Sequence, residues 1–321
     1  MTLMHIRRRL IPAAAATTVT ALGMAALTAC GGAATAAQTG KFDVVASFYP
    51  MAFLADQIGG SHVHVTSLTQ PGQEPHDLEI SPKQIIGIEK SDAVLYLKNL
   101  QPSVDAAVAQ SSVGTKIDAA SLTTLEEHGN EVGGHATAHD SSKNAELTGL
   151  DPHIWLDPVR YAQVAEGVGK AFEKADPDHA ADYRKNTAAL VRKLDALDIQ
   201  FRNGLTHTRT KVFITTHAAF GYLAERYGLT EEAVNGLDPE SEPSAARVRD
   251  LESMAEADGV TTVFYETLVS DKTARTIAAD AGLRTDVLDP IEGITGKSRG
   301  RDYFAVQEAN LKALQQALGA K

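Results

Sequence analysis

Three histidines in this chain of 321 residues stand in settings that suit metal coordination. His76 lies in Pro71-Gly72-Gln73-Glu74-Pro75-His76-Asp77, His153 in Asp151-Pro152-His153-Ile154-Trp155-Leu156-Asp157-Pro158, and His217 in Thr215-Thr216-His217-Ala218-Ala219-Phe220. Each falls between a strand-like segment and a helix, and Asp289 holds the same kind of position after Asp286-Val287-Leu288. In open α/β sheets the carboxyl ends of the strands face the crevice where ligands bind. Three neutral imidazoles and one carboxylate are a donor set suited to tetrahedral Zn²⁺, with bonds of about 2.0 to 2.2 Å. Proline before His76 and His153 restricts the backbone and helps preform such a site.

The elements that must position these residues follow a βαβ rhythm. Short β-branched runs such as Phe42 to Ala46, His62 to Val65 and Ala93 to Leu97 alternate with helical periods, one of them opened by the Ser81-Pro82 pair. Residues 120–150 lose this periodicity and read as one long surface loop. Asp157-Pro158 then caps a helix, and Asp176-Pro177 caps a second that runs to Asn203. Its stripe of Tyr183, Leu190, Leu194, Leu197, Phe201 and Leu205 and its length of about 40 Å suit a tie between two lobes. Beyond it the rhythm resumes. The expected fold is thus α/β, with an N-terminal lobe over 42–176, a linking helix over 177–207 and a C-terminal lobe over 208–321. No repeat survives at the residue level, so any likeness between the lobes is architectural.

Acidic residues number 41 against 30 Lys plus Arg, a formal net charge of -11, which excludes the basic footprint of a nucleic-acid binder. Cations are drawn in instead. A single cysteine, Cys30, excludes a disulfide framework or a Cys-rich metal site within one chain. Residues 1–29 read as a secretory signal, with Arg7 to Arg9 as the positive region and an Ala-rich apolar stretch to Leu27. Leu27-Thr28-Ala29-Cys30 resembles the lipobox of bacterial lipoproteins, which implies a lipidated Cys30 followed by a tether over 30–41. The arginine run also fits a twin-arginine signal, and the export route stays open.

The segments around His76, His153 and His217, with Leu288-Asp289-Pro290, resemble the zinc and manganese receptors of ABC-type metal importers, in order and over nearly all of the mature chain. That resemblance implies two α/β lobes joined by a single long rigid helix, with the metal in the cleft between them. It also implies His76, His153, His217 and Asp289 as ligands. Manganese receptors of the family have Glu in place of the third histidine, so His217 favours zinc. The implied partners are an ABC permease with its ATPase, the membrane through the lipid anchor, and a metallochaperone, for a receptor acting as a monomer outside the cytoplasm.

His128, His135 and His139 fall where zinc receptors of the family carry a His-rich loop. This sparse version is read either as a weaker second metal site or as a solvated polar loop. Glu266, after Val263-Phe264-Tyr265, is read as an acid supporting the cleft or as a surface partner. His62 and His64 share one strand face, and His179 and His207 sit near the ends of the linking helix; solvent contact is the plain expectation for all four. Gly293 to Ser298 ends like a phosphate-binding loop, but Ile291 occupies the position of its first glycine. No nucleophile elbow, HExxH helix or dinucleotide fingerprint is present, so an enzyme is not expected. The alternatives are a manganese receptor of the same family and, from another class, a zinc hydrolase.

Overall fold

The computed structural model describes residues 40–128, 149–241 and 243–320. Cys30, the leader, His135 and His139 lie outside them.

The N-terminal lobe is built from β1 (Phe42–Ala46), α1 (Tyr49–Gly59), β2 (Val63–Ser67), α2 (Pro82–Lys90), β3 (Ala93–Tyr96), α3 (Pro102–Gln110), β4 (Thr115–Asp118) and α4 (Pro158–Ala175). Its strands pair in parallel in the order β2-β1-β3-β4. The C-terminal lobe contains β5 (Val212–Thr215), α6 (Gly221–Tyr227), β6 (Thr230–Ala233), α7 (Ala245–Ala257), β7 (Thr262–Tyr265), α8 (Lys272–Ala281), β8 (Arg284–Val287) and α9 (Tyr303–Leu318). Its order, β6-β5-β7-β8, is the same winding, again all parallel. The two lobes share a design that their residues do not reveal.

Local chemistry sets the helix starts. Ser81 and Gln84 form a capping box with Pro82 in the first turn. The side chains of Asp157, Ser244 and Asp302 accept from Val159, Arg247 and Ala305 backbone N–H groups, satisfying donors that a helix start leaves unpaired.

Between the lobes runs α5 (Ala180–Leu205), 26 residues and about 39 Å long, entered through a 3-10 turn at Pro177–His179. Its stripe of Tyr183, Leu190, Leu194, Leu197, Phe201 and Leu205 is buried as expected. The helix packs on α1 and α4 of the first lobe and on α6 and α9 of the second. One hydrophobic cluster therefore runs through both lobes, from Val44 and Trp155 to Phe213 and Leu314. Tyr303 of α9 reaches the first lobe, stacking on Phe53 at 5.4 Å between centroids and lying 4.8 Å from Tyr161.

The start of the segment read as a long loop is ordered by packing. Ala119–Leu122 forms a 3-10 turn, and Leu122 and Leu125 lie against the core. Among the described residues no helix is long and apolar enough to cross a membrane.

Candidate metal centre

His76, His153 and His217 converge, and the carboxylate that joins them is Glu292. One donor atom from each lies within 4.8 Å of all the others. The Glu292 Oε1 atom is 3.3 Å from His76 Nε2, 3.6 Å from His153 Nε2 and 3.9 Å from His217 Nε2, while the last two nitrogens are 3.4 Å apart. A tetrahedron with bonds of 2.0 to 2.1 Å has edges of about 3.3 to 3.4 Å. Four of the six donor separations, 3.3 to 3.9 Å, therefore lie close to the edges that a tetrahedral Zn²⁺ site requires.

Sheet register explains the pairing on the C-terminal side. β5 and β7 run in parallel with Thr215 beside Phe264. Two residues further on, His217 meets Glu266, whose Oε1 is 2.6 Å from His217 Nδ1 and also accepts from the Thr216 hydroxyl. The supporting role considered for Glu266 thus matches its position behind the imidazole. On the other lobe, Asp151 Oδ1 accepts the His153 backbone N–H and lies 2.7 Å from its Nδ1. A carboxylate on Nδ1 fixes the tautomer that turns the Nε2 lone pair into the centre.

Asp289, expected as the fourth ligand, is not in this group. Tyr265 of β7 pairs with Val287 of β8, which carries Asp289 level with Thr267. Its carboxylate accepts from the Thr267 hydroxyl at 3.1 Å and the Ile291 N–H at 2.8 Å. Asn310 bonds its backbone on both sides, donating to the carbonyl and accepting from the N–H. Asp289 thus builds the turn that presents Glu292. Ile291, fully buried, adopts a φ of 60° there, a left-handed conformation costly for a β-branched residue.

The segment around His153 is anchored from the opposite lobe. The Trp155 indole donates to the Pro290 carbonyl at 2.6 Å, and the Tyr303 hydroxyl donates to the Trp155 carbonyl at 2.6 Å. His153, His217 and Glu292 are buried, while the His76 side chain is 12% exposed, which puts the way in on its side.

The electrostatics are those of a place prepared for a cation. One carboxylate oxygen each of Glu74, Glu266 and Glu292 is buried without a hydrogen-bond partner. Such groups are costly unless positive charge offsets them. Burial would lower the pKa of His153, but Asp151 and Glu292 raise it to about 10. His217 is raised as well: burial opposes the shift, and the charge of Glu266 outweighs it. Burial pushes Glu292 up, yet its bond to His153 and the His76 charge hold it well below the usual range. Glu74 is pushed up to about 9, first by burial and then by the charge of Glu292.

Residues 44–317 match the family described as ZnuA, zinc-uptake complex component A, periplasmic. The chain belongs to the ZnuA family. Among its relatives, zinc-binding lipoprotein AdcA of Streptococcus pneumoniae is 35% identical over 283 residues, covering 86% of this chain. The chain spans 56% of that relative's length. The high-affinity zinc uptake system protein ZnuA of Bacillus subtilis is 32% identical over 303 residues, 91% of this chain and 94% of that one. The crystal structure of the Zn(II)-bound ZnuA-like domain of S. pneumoniae AdcA superposes with a TM-score of 0.71 at 33% identity, covering 87% of this chain and 99% of that one. The α/β, two-lobed expectation and the receptor family named from the sequence agree with these likenesses.

His128 is held beside the centre, with Nδ1 3.1 Å from Asp151 Oδ2. His62 and His64 face Asp182 and Asp43, and the ring of His179 stacks on His62 at 4.1 Å, all away from the centre. The sequence offered a signal for Glu292 in Pro290-Ile291-Glu292-Gly293, where proline and glycine bracket an acid.

Proposed function

We propose that this protein is an extracytoplasmic Zn²⁺ receptor that captures the ion between its lobes through His76, His153, His217 and Glu292 and delivers it to an ABC-type importer. The observation that carries this reading is the near-tetrahedral spacing of three imidazole nitrogens and one carboxylate oxygen. Zinc, which has no geometric preference of its own, accepts such a closed N and O set, whereas manganese favours more oxygen ligands and a higher coordination number. With Glu292 in the fourth position no place is left for an activated water, which separates a carrier site from a hydrolytic one. The family is a zinc-uptake component, and the role is binding rather than catalysis.

Within this reading, residues 1–29 are the export signal, Cys30 carries the lipid and residues 30–41 tether the receptor to the membrane. The permease and its ATPase are the partners, a metallochaperone is a further donor of the ion, and the receptor works as a monomer.

The test is competition binding on the soluble chain from Gly31, purified without added metal, with Zn²⁺ and Mn²⁺ offered against a calibrated chelator. One tight zinc equivalent, lost in His153→Ala and His217→Ala, is the expected result. Preference for Mn²⁺, or zinc affinity unchanged in both variants, would overturn it.

A further inference from the structure

His153 and His217 come from different lobes, and their Nε2 atoms lie 3.4 Å apart. That is the edge of a tetrahedron with bonds of about 2.0 to 2.1 Å. One short helix, α6, spans the gap between the segments that carry them. It begins at Gly221, just after the His217 turn, and packs on the 3-10 turn Ile154–Leu156 that follows His153.

The start of α6 is tied to His217 through Glu231. That carboxyl bonds to the Thr215 hydroxyl at 2.7 Å and to the Phe220 N–H at 2.9 Å, and so holds the turn carrying His217 from both ends. The body of α6 is tied to the His153 segment by two side chains one turn apart. The Tyr222 hydroxyl donates to the Asp151 carbonyl at 2.7 Å and accepts the Glu126 N–H at 2.9 Å, while the Arg160 guanidinium lies 4.4 Å from the ring centroid. The Arg226 Nε–H donates to Asp157 Oδ1, which also accepts the Val159 N–H at the start of α4. Residues four apart share one helix face, so a single face of α6 grips Asp151 and Asp157, one on each side of His153. Asp151 carries that grip to the imidazole, with Oδ1 2.7 Å from His153 Nδ1.

We propose that Tyr222 and Arg226 are positioning residues that fix the spacing of His153 from His217, and with it the size of ion that the centre prefers. Neither is among the four donors. Zn²⁺ fits the existing edge with both α6 bonds kept. A larger ion such as Cd²⁺, with longer bonds to nitrogen, needs a wider edge and must force α6 away from the 151–157 segment, against close packing and two buried bonds. Discrimination between ions that the same donors would accept thus comes from the brace behind them. The proposal rests on the zinc reading of the centre.

The experiment is competition binding of Zn²⁺ and of Cd²⁺ against calibrated chelators, beside thermal melts, on the protein purified without added metal. Tyr222→Phe removes one hydroxyl, and Arg226→Lys keeps the charge without the planar guanidinium. Tyr227→Phe is the control, because its hydroxyl lies on the same helix but bonds to Asp198 of α5 at 3.1 Å. Tyr222→Phe and Arg226→Lys should each lower the preference for zinc over cadmium by about fivefold or more, chiefly through lost zinc affinity. Tyr227→Phe should lose stability and keep the parent's preference. A preference unchanged in either of the first two variants, whatever their melting temperatures, would overturn the brace and leave the receptor reading intact. An equal drop in Tyr227→Phe would overturn it as well, as the mark of general loosening. No tight zinc in the parent would sink the receptor reading, and the brace with it.

Discussion

The indole N–H of Trp155, in the N-terminal lobe, donates to the carbonyl of Pro290 in the C-terminal lobe at 2.6 Å. That bond joins the segment carrying His153 to the turn carrying Glu292, two donors that come from opposite halves of the chain. Trp155→Phe keeps most of the ring but leaves the buried carbonyl unpaired, at a cost of about 1 to 3 kcal/mol. Thermal unfolding of the metal-free variant should shift down, and its zinc affinity should fall although every donor is retained. A variant that loses stability and binds zinc like the parent would show that this bond does not position Glu292.

Glu292 and Asp289 separate under substitution. Glu292→Gln removes a donor and should weaken zinc binding on the order of a hundredfold, about 2.7 kcal/mol. Asp289→Asn should do the reverse, lowering stability through the lost turn contacts while keeping affinity within about tenfold. Chelator competition beside thermal melts reads both quantities, and the opposite pattern would make Asp289 the ligand.

Zinc binding should release protons. His153, raised to about 10 by Asp151 and Glu292 against the effect of burial, carries a proton at neutral pH in the empty protein, and the ion must displace it. Affinity should fall about tenfold per pH unit, between pH 8 and 6, for each proton displaced. The stability of the empty protein follows the other sign. A raised imidazole contributes stability that is fully present below its unfolded value of about 6.5 and is lost as pH rises through about 10. Calorimetry in buffers of different ionisation heat counts the protons, and a count of zero at pH 7 would refute this account.

Glu231 offers a control that is not one of the four donors. Burial pushes its carboxyl up to about 8, while the Thr215 hydroxyl and the Phe220 N–H bond to it. A carboxyl raised in the folded state binds its proton more tightly there, so stability is present below about 4.3 and is lost as pH climbs to about 8. Glu231→Gln should therefore gain stability over the parent progressively across that window, by a few kcal/mol at most. Melting curves at pH 5 and 8 decide it, and an advantage that does not change with pH would refute the assignment.

The same residue shows why part of the fold was hidden. β6 reads Thr-Glu-Glu-Ala, with no alternation that would announce a strand, because its acids are satisfied by tertiary partners: Glu231 by Thr215 and Phe220, Glu232 by Arg247. α3 escaped notice for a related reason, since only Val104 and Val108 of its nine residues are buried. By contrast, the linking helix, the capped starts at Ser81 and Asp157 and the three histidines were legible, because each rests on local spacing or an explicit cap. The carboxylate that groups with the three histidines lies three residues beyond the one expected. A carboxylate at a strand end satisfies the positional rule, and only the parallel register of β7 and β8 reveals that Asp289 is spent on Thr267.

The linking helix also governs how occupancy can be read from outside. Because α5 is bonded by packing to α1 and α4 at one end and α6 and α9 at the other, it acts as a beam clamped at both supports, with no pivot along its length. Loaded and empty forms then differ in the loops that carry the donors rather than in the spacing of the two halves. Dyes placed on opposite lobes would make a poor gauge of cargo, and a transporter that accepts only the loaded form must inspect the mouth of the cleft at close range.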